Sequence, residues 1–265
     1  MQKGRSYVLR FTVSTTKPSS TPGTAMYLGV SLACSGGDSG EARSISGTQN
    51  IIDGESSTLT NQFLLTAKKD GERKCNVLIS SPNESAAAVG TTLDADVQWE
   101  ETPVGQDAKA FSSDERLPMV VSNRARLAAF RGTLKVPKAG DETLKILSTL
   151  HFTTCTIVNG SREGGEPLCI PSETDEGGSS FDVDLRVDVL DSEGRVCESL
   201  DVFTESTHVD KKTHHQLLSF VKKNQLPAPL CGRTLEFVLA VSNSGPAPLV
   251  VHGSSSSFIV VASST

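Results

Sequence analysis

Apolar and polar residues alternate with a period of two along much of the chain. Tyr7, Leu9, Phe11 and Val13 fall on one face, against Val8, Arg10 and Thr12 on the other. Successive side chains leave a β-strand on opposite sides, so this repeat predicts a strand. The same pattern sets Leu93, Ala95, Val97 and Trp99 against Asp94, Asp96, Gln98 and Glu100. It also sets Phe181, Val183, Leu185, Val187 and Val189 against Asp182, Asp184, Arg186 and Asp188. One buried and one wet face is the signature of antiparallel sheets. Turn-forming residues punctuate the runs: Lys69-Asp70-Gly71, Asp191-Ser192-Glu193-Gly194 and Asn159-Gly160. The last is the strongest short hairpin signal, because both residues tolerate positive φ. Residues 210–224 fit a helix through Leu217, Leu218 and Val221 or a strand through Gln216, Leu218 and Phe220; we read a strand.

The strand signals, with little or no helix, predict an all-β fold. At 265 residues the chain is long for one small sandwich and comfortable for two. We therefore expect two antiparallel, immunoglobulin-like β-sandwich domains in tandem, over residues 1–102 and 124–265. Residues 103–123 lack periodicity and read as a linker or long crossover.

Composition narrows the partners. The net charge is −6 and both halves are acidic, so no basic stripe is available to neutralise phosphates, and nucleic acid is excluded as an expected partner. The longest apolar runs, 237–241 and 258–262, fall far short of the ~18 residues of a membrane-spanning helix. The first ten residues contain no apolar signal core.

The cysteines set the expected compartment. Cys34, Cys75, Cys155, Cys169, Cys197 and Cys231 show no zinc-type spacing, and several sit in or beside apolar strand runs. Many pairings are open. We propose Cys34–Cys75, Cys155–Cys169 and Cys197–Cys231, in which each pair stays within one candidate domain and each bridge is worth about 2–4 kcal/mol. The alternative is six buried thiols in a reducing compartment. We favour an extracytoplasmic location, secreted or at the cell surface, with a signal or anchor lying outside these residues. Sequons occur at Asn83 and Asn159.

An apolar strand ending in Cys34, the run from Leu59 to Ala67, a tight turn and then Cys75-Asn76-Val77-Leu78-Ile79 resemble uncharacterised bacterial extracytoplasmic proteins with immunoglobulin-like sandwiches. The resemblance covers about the first 100 residues. It implies a surface or secreted location, with Cys34 and Cys75 on facing sheets, and brings no catalytic residues. Trp99 follows the second cysteine, where antibody domains place a tryptophan between the two.

Candidate chemistry is sparse. Gly37-Asp38-Ser39-Gly40 matches four letters of a serine-protease nucleophile motif, yet no histidine precedes Ser39, and a turn explains it better. His208, Asp210 and His214 are candidate metal ligands, although adjacent His214 and His215 would point to opposite faces of a strand. Asp182, Asp184 and Asp188 share a strand face, which is too flat to wrap calcium. No cofactor is expected, and a catalytic set is not found. The sequence therefore predicts a noncatalytic extracytoplasmic or cell-surface protein for protein interaction, adhesion or scaffolding, its partner another protein or a surface polymer. A structural subunit of a capsid, tail or surface layer is the alternative. A metal-dependent or hydrolase-accessory enzyme is the second alternative.

Overall fold

The computed structural model describes residues 1–16, 26–35, 43–51, 56–80, 92–101, 107–111, 117–136, 142–154, 156–161, 167–170, 178–210, 215–227 and 229–264. All regular elements among them are strands. The first six are β1 (Ser6–Thr16), β2 (Met26–Ser35), β3 (Arg43–Ile51), β4 (Ser56–Thr66), β5 (Lys74–Ser80) and β6 (Thr92–Glu101). They form two antiparallel sheets in the orders β4-β1-β6 and β3-β2-β5. The alternation explains the sandwich: Tyr7, Leu9, Phe11 and Val13 of β1 meet Leu28, Val30 and Leu32 of β2 and Leu59, Phe63 and Leu65 of β4 in one apolar cluster.

The second sandwich begins with β7 (Asp107–Phe111), β8 (Met119–Val121), β9 (Arg126–Lys135) and β10 (Glu142–Thr154). β11 (Thr156–Ser161) and β12 (Pro167–Ile170) pair with each other and, among the described residues, with no other strand. Then come β13 (Ser179–Leu190), β14 (Val196–Val209), β15 (His215–Gln225), β16 (Thr234–Asn243) and β17 (Leu249–Ser264). One sheet runs β15-β10-β17-β7, with β8 also on β17; the other runs β14-β13-β16-β9. Between them lie Phe130, Phe152, Phe181, Phe237 and Phe258, each at most 1% exposed.

Both halves repeat one strand plan. β10, β13, β14, β15, β16 and β17 take the places of β1, β2, β3, β4, β5 and β6: β15-β10-β17 mirrors β4-β1-β6, and β14-β13-β16 mirrors β3-β2-β5. The second half then adds strands at two sheet edges, β9 beside β16 and β7 with β8 beside β17. Phe111 at the end of β7 packs on the rings of Phe237 and Phe258. Gly132 makes room for it, since a Cβ there would lie 2.2 Å from the Phe111 ring.

Several expectations change. Residues 103–123, expected to be a linker or crossover, contain β7 and β8; strands of five and three residues are too short to show a period. Asn159-Gly160, expected at a hairpin turn, lies inside β11, whose Ser161 is paired with Pro167 of β12. Cys34 and Cys75, expected on facing sheets, are directly opposed neighbours on β2 and β5 of one sheet. Spacing along the chain could not distinguish a bridge across a sandwich from one across two paired strands. Residues 215–225 form β15. The turns at Gly71 and Gly194 have φ of +137° and +79°, which glycine adopts without a Cβ clash.

Candidate functional site

The first sandwich stands its β3/β4 edge on the outer face of β15, β10 and β17. Register dictates that face: Leu147 opposes Val221 and Ile259, and Thr149 opposes Ser219 and Ser257. At one end Val8, Leu147, Ile259 and Val261 form a small buried cluster with Leu64 against it. Next to it the seam becomes polar. β4 is a sheet edge, so its outward backbone groups need partners. The carbonyl of Thr60 accepts hydrogen bonds from Ser219 Oγ at 2.7 Å and Thr149 Oγ1 at 3.4 Å. Asn61 donates from Nδ2 to the Ser255 carbonyl at 2.9 Å and accepts at Oδ1 from the Gln62 amide and Ser257 Oγ. Hydroxyl side chains thus do on one half what another strand would do for the edge of the other.

Beyond this hydroxyl patch lie three imidazoles. His151 on β10 opposes His252 on β17, and Thr153 opposes His215 on β15. Residues two apart share a face, so the three rings gather on the seam side of the sheet. His151 Nε2 and His215 Nδ1 are 3.0 Å apart and share a hydrogen bond. The ring of His252 stacks on His151 with centroids at 4.6 Å, and its Nε2 lies 2.8 Å from Thr153 Oγ1. His151 is buried. The local backbone is shaped around it: between the pairs His151–His252 and Thr149–Ser257, β17 carries residues 253–256 against Leu150 alone. Ser256 Oγ, within that insertion, accepts from the His151 amide and donates to the His252 carbonyl. A nitrogen of each ring is thus bonded to another imidazole or to a threonine hydroxyl. Among the described residues no group of three or more His, Cys, Asp or Glu is arranged to hold a metal.

Sequence reasoning missed this trio, because each histidine lies on a separate strand and only sheet register unites them. Of the metal candidates it named, two lie among the described residues. His208 lies on the solvent face of β14, bonded to Ser180 Oγ at 3.0 Å. His215 is on the opposite outer face of the same sandwich, Asp210 follows β14, and His214 lies outside the described residues. Asp182 and Asp184 accept from Ser206 and Arg126, and Asp188 is held by Arg186 and Ser199. Those carboxylates are engaged as cross-strand partners on a sheet face. Ser39 and Asn83 lie outside the described residues, and Asn159 is on β11.

Two disulfides occupy related positions. Cys34–Cys75 ties the end of β2 to the start of β5. Cys197–Cys231 ties the start of β14, just past the β13–β14 turn, to the segment leading into β16. In both halves, therefore, the bridge joins the tip of the β2/β3-type hairpin to the approach of the β5-type strand. Cys169 is on β12, and Cys155 lies outside the described residues.

No protein family and no curated protein matches the chain. Among solved structures it is similar to one of infectious bursal disease virus, Gx strain, at 10% identity and TM-score 0.37, covering 99% of this chain and 58% of that one. The VP2 subviral particle of the same virus is similar at 10% identity and TM-score 0.32, covering 96% and 55%. The tandem CBM22 domains of Paenibacillus barcinonensis Xyn10C are similar at 9% identity and TM-score 0.30, covering 100% and 81%. The chain thus spans less than two thirds of the viral chains it resembles. Among the described residues no helix is long and apolar enough to cross a membrane.

Proposed function

We propose that the chain is a noncatalytic, extracytoplasmic β-sandwich protein that works by holding contacts with another protein, in adhesion or scaffolding. The observation that carries this reading is the disulfide at a related place in each half, joining hairpin tip to β5-type strand. Such bridges persist in oxidising compartments, where they constrain the unfolded chain. The strand order supports an immunoglobulin-like layout. β1 pairs β4 and β2 pairs β3 and β5, as strand B pairs E and strand C pairs C′ and F in variable-type domains. β6 occupies the position of strand A, although it comes last in the chain. The third bridge, Cys155–Cys169, belongs to the same proposal.

Thiol titration of the native protein with and without reductant tests it. No reactive thiol before reduction and six after it are the expected result; six in the native protein would remove the extracytoplasmic reading. The assembly-subunit alternative is favoured by one feature, the apolar side chains on the edge of β5 that no strand among the described residues covers. Sedimentation over a range of concentrations separates a monomeric contact module from a self-assembling subunit.

A further inference from the structure

The repeated plan sets the described strands of the two halves side by side. In the second half β16 is covered on its far side by β9, antiparallel, and its core-facing Leu235, Phe237, Leu239 and Val241 are all 0% exposed. β5 holds the place of β16, yet among the described residues no strand pairs with its far side. Its core-facing positions show the consequence. Ile79 opposes Val30, which is 2% exposed, but Ile79 is itself 39% exposed, and Val77 beside it is only partly buried. Leu78, on the outer face of the same strand, is 60% exposed. An apolar strand edge with free backbone groups is a template for another strand. Strand addition supplies main-chain hydrogen bonds, with alternate side chains giving specificity.

We propose that the open edge of β5 accepts an extended segment of a second polypeptide, antiparallel to β5 and apolar at alternate positions, completing the β3-β2-β5 sheet as β9 completes β14-β13-β16. The chain itself defines the chemistry of the occupant. In β9 Phe130 and Leu134 turn into the core opposite Leu239 and Leu235, while Arg131 and Lys135 stay in water. The incoming strand must likewise place aliphatic or aromatic groups over Val77 and Ile79, and polar ones outside. This deepens the reading of the chain as a contact-forming protein and rests on it.

The test uses the full chain and a labelled synthetic peptide with the sequence of residues 126–135. Saturable binding by fluorescence anisotropy is expected, with slowed amide exchange along residues 75–80 and no binding of a scrambled peptide. Ile79→Asp places a charge where the donor side chain must pack, and is expected to weaken binding by about tenfold or more. Leu78→Lys, on the outer face, is expected to weaken it less. Unchanged thermal melting of both variants shows that they still fold. Absence of binding, or binding that Ile79→Asp leaves intact, overturns the proposal. So does a chain that already sediments as a dimer with residues 75–80 protected, since the occupant is then a second copy. The thiol titration reports on the compartment alone, so failure of either reading leaves the other measurable.

Discussion

Asn61 and Ser257, 196 positions apart in the chain, hydrogen-bond across the seam between the sandwiches with Ser257 Oγ 3.1 Å from Asn61 Oδ1. The same amide donates to the Ser255 carbonyl, so one side chain serves both a strand edge and the strand that covers it. Asn61 is fully buried. Asn61→Ala leaves buried polar groups without this partner and is expected to cost about 1–3 kcal/mol. Urea denaturation measures it; a midpoint within error of the parent would show that the seam does not depend on this residue.

The histidine trio gives a second prediction. His151→Ala removes the hydrogen bond to His215 and the stacking surface for His252 from a buried position. A loss of about 1–3 kcal/mol is expected. Faster amide exchange should be confined to β10, β15, β17 and the β3/β4 edge. Exchange that rises equally across β13 and β16 would indicate global loosening instead.

The turn after β13 is expected to be pH-sensitive. The Arg195 backbone amide holds the Asp191 carboxylate below the usual range, aided by the Arg195 side chain and the amides of Glu193 and Gly194. A carboxyl with a depressed folded pKa stabilises above its unfolded value and loses that contribution as pH falls through the folded one. Asp191→Asn should therefore lower the melting temperature at pH 7, and the difference should shrink below about pH 4. A constant difference down to pH 2 would contradict the role of the charge.

Cys75→Ser opens the bridge across β2 and β5 and is expected to cost about 2–5 kcal/mol. Cys231→Ser acts in the other sandwich, so the two losses should add within about 0.5 kcal/mol unless the seam couples the halves. Calorimetry of the single and double variants under oxidising conditions checks both statements. An unchanged melting temperature for Cys75→Ser would mean that the bridge does not stabilise the fold.

Much of the architecture was legible from alternation alone. β1 and β13 read clearly because each sets a continuous row of apolar core residues against a mostly polar second face, even though Val8 and Asp188 on those second faces are buried. Residues 210–224 are ambiguous in sequence, because β15 turns Leu217 toward the first sandwich and Leu218 toward the second. Apolar residues on both faces erase the alternation. β7 was invisible for another reason: one aromatic, Phe111, carries its burial, and five residues give no pattern. The seam was hidden because it is made of serine, threonine, asparagine and histidine, which read as solvent-facing until the second sandwich covers them. His151, His215 and His252 show the general limit, since local spacing says nothing of register between strands joined through long connections.

Residues 253–256 of β17 have a consequence beyond their own hydrogen bonds. With one residue opposite Leu150 in place of these four, β17 would follow β10 in continuous register, as β6 follows β1, and the sheet would offer the first sandwich a flat wall. The insertion lifts the Ser255 carbonyl to Asn61 and encloses His151, making that wall a socket. Three extra residues in one strand thus give the edge of β4 a partner that the plan of the first half does not contain.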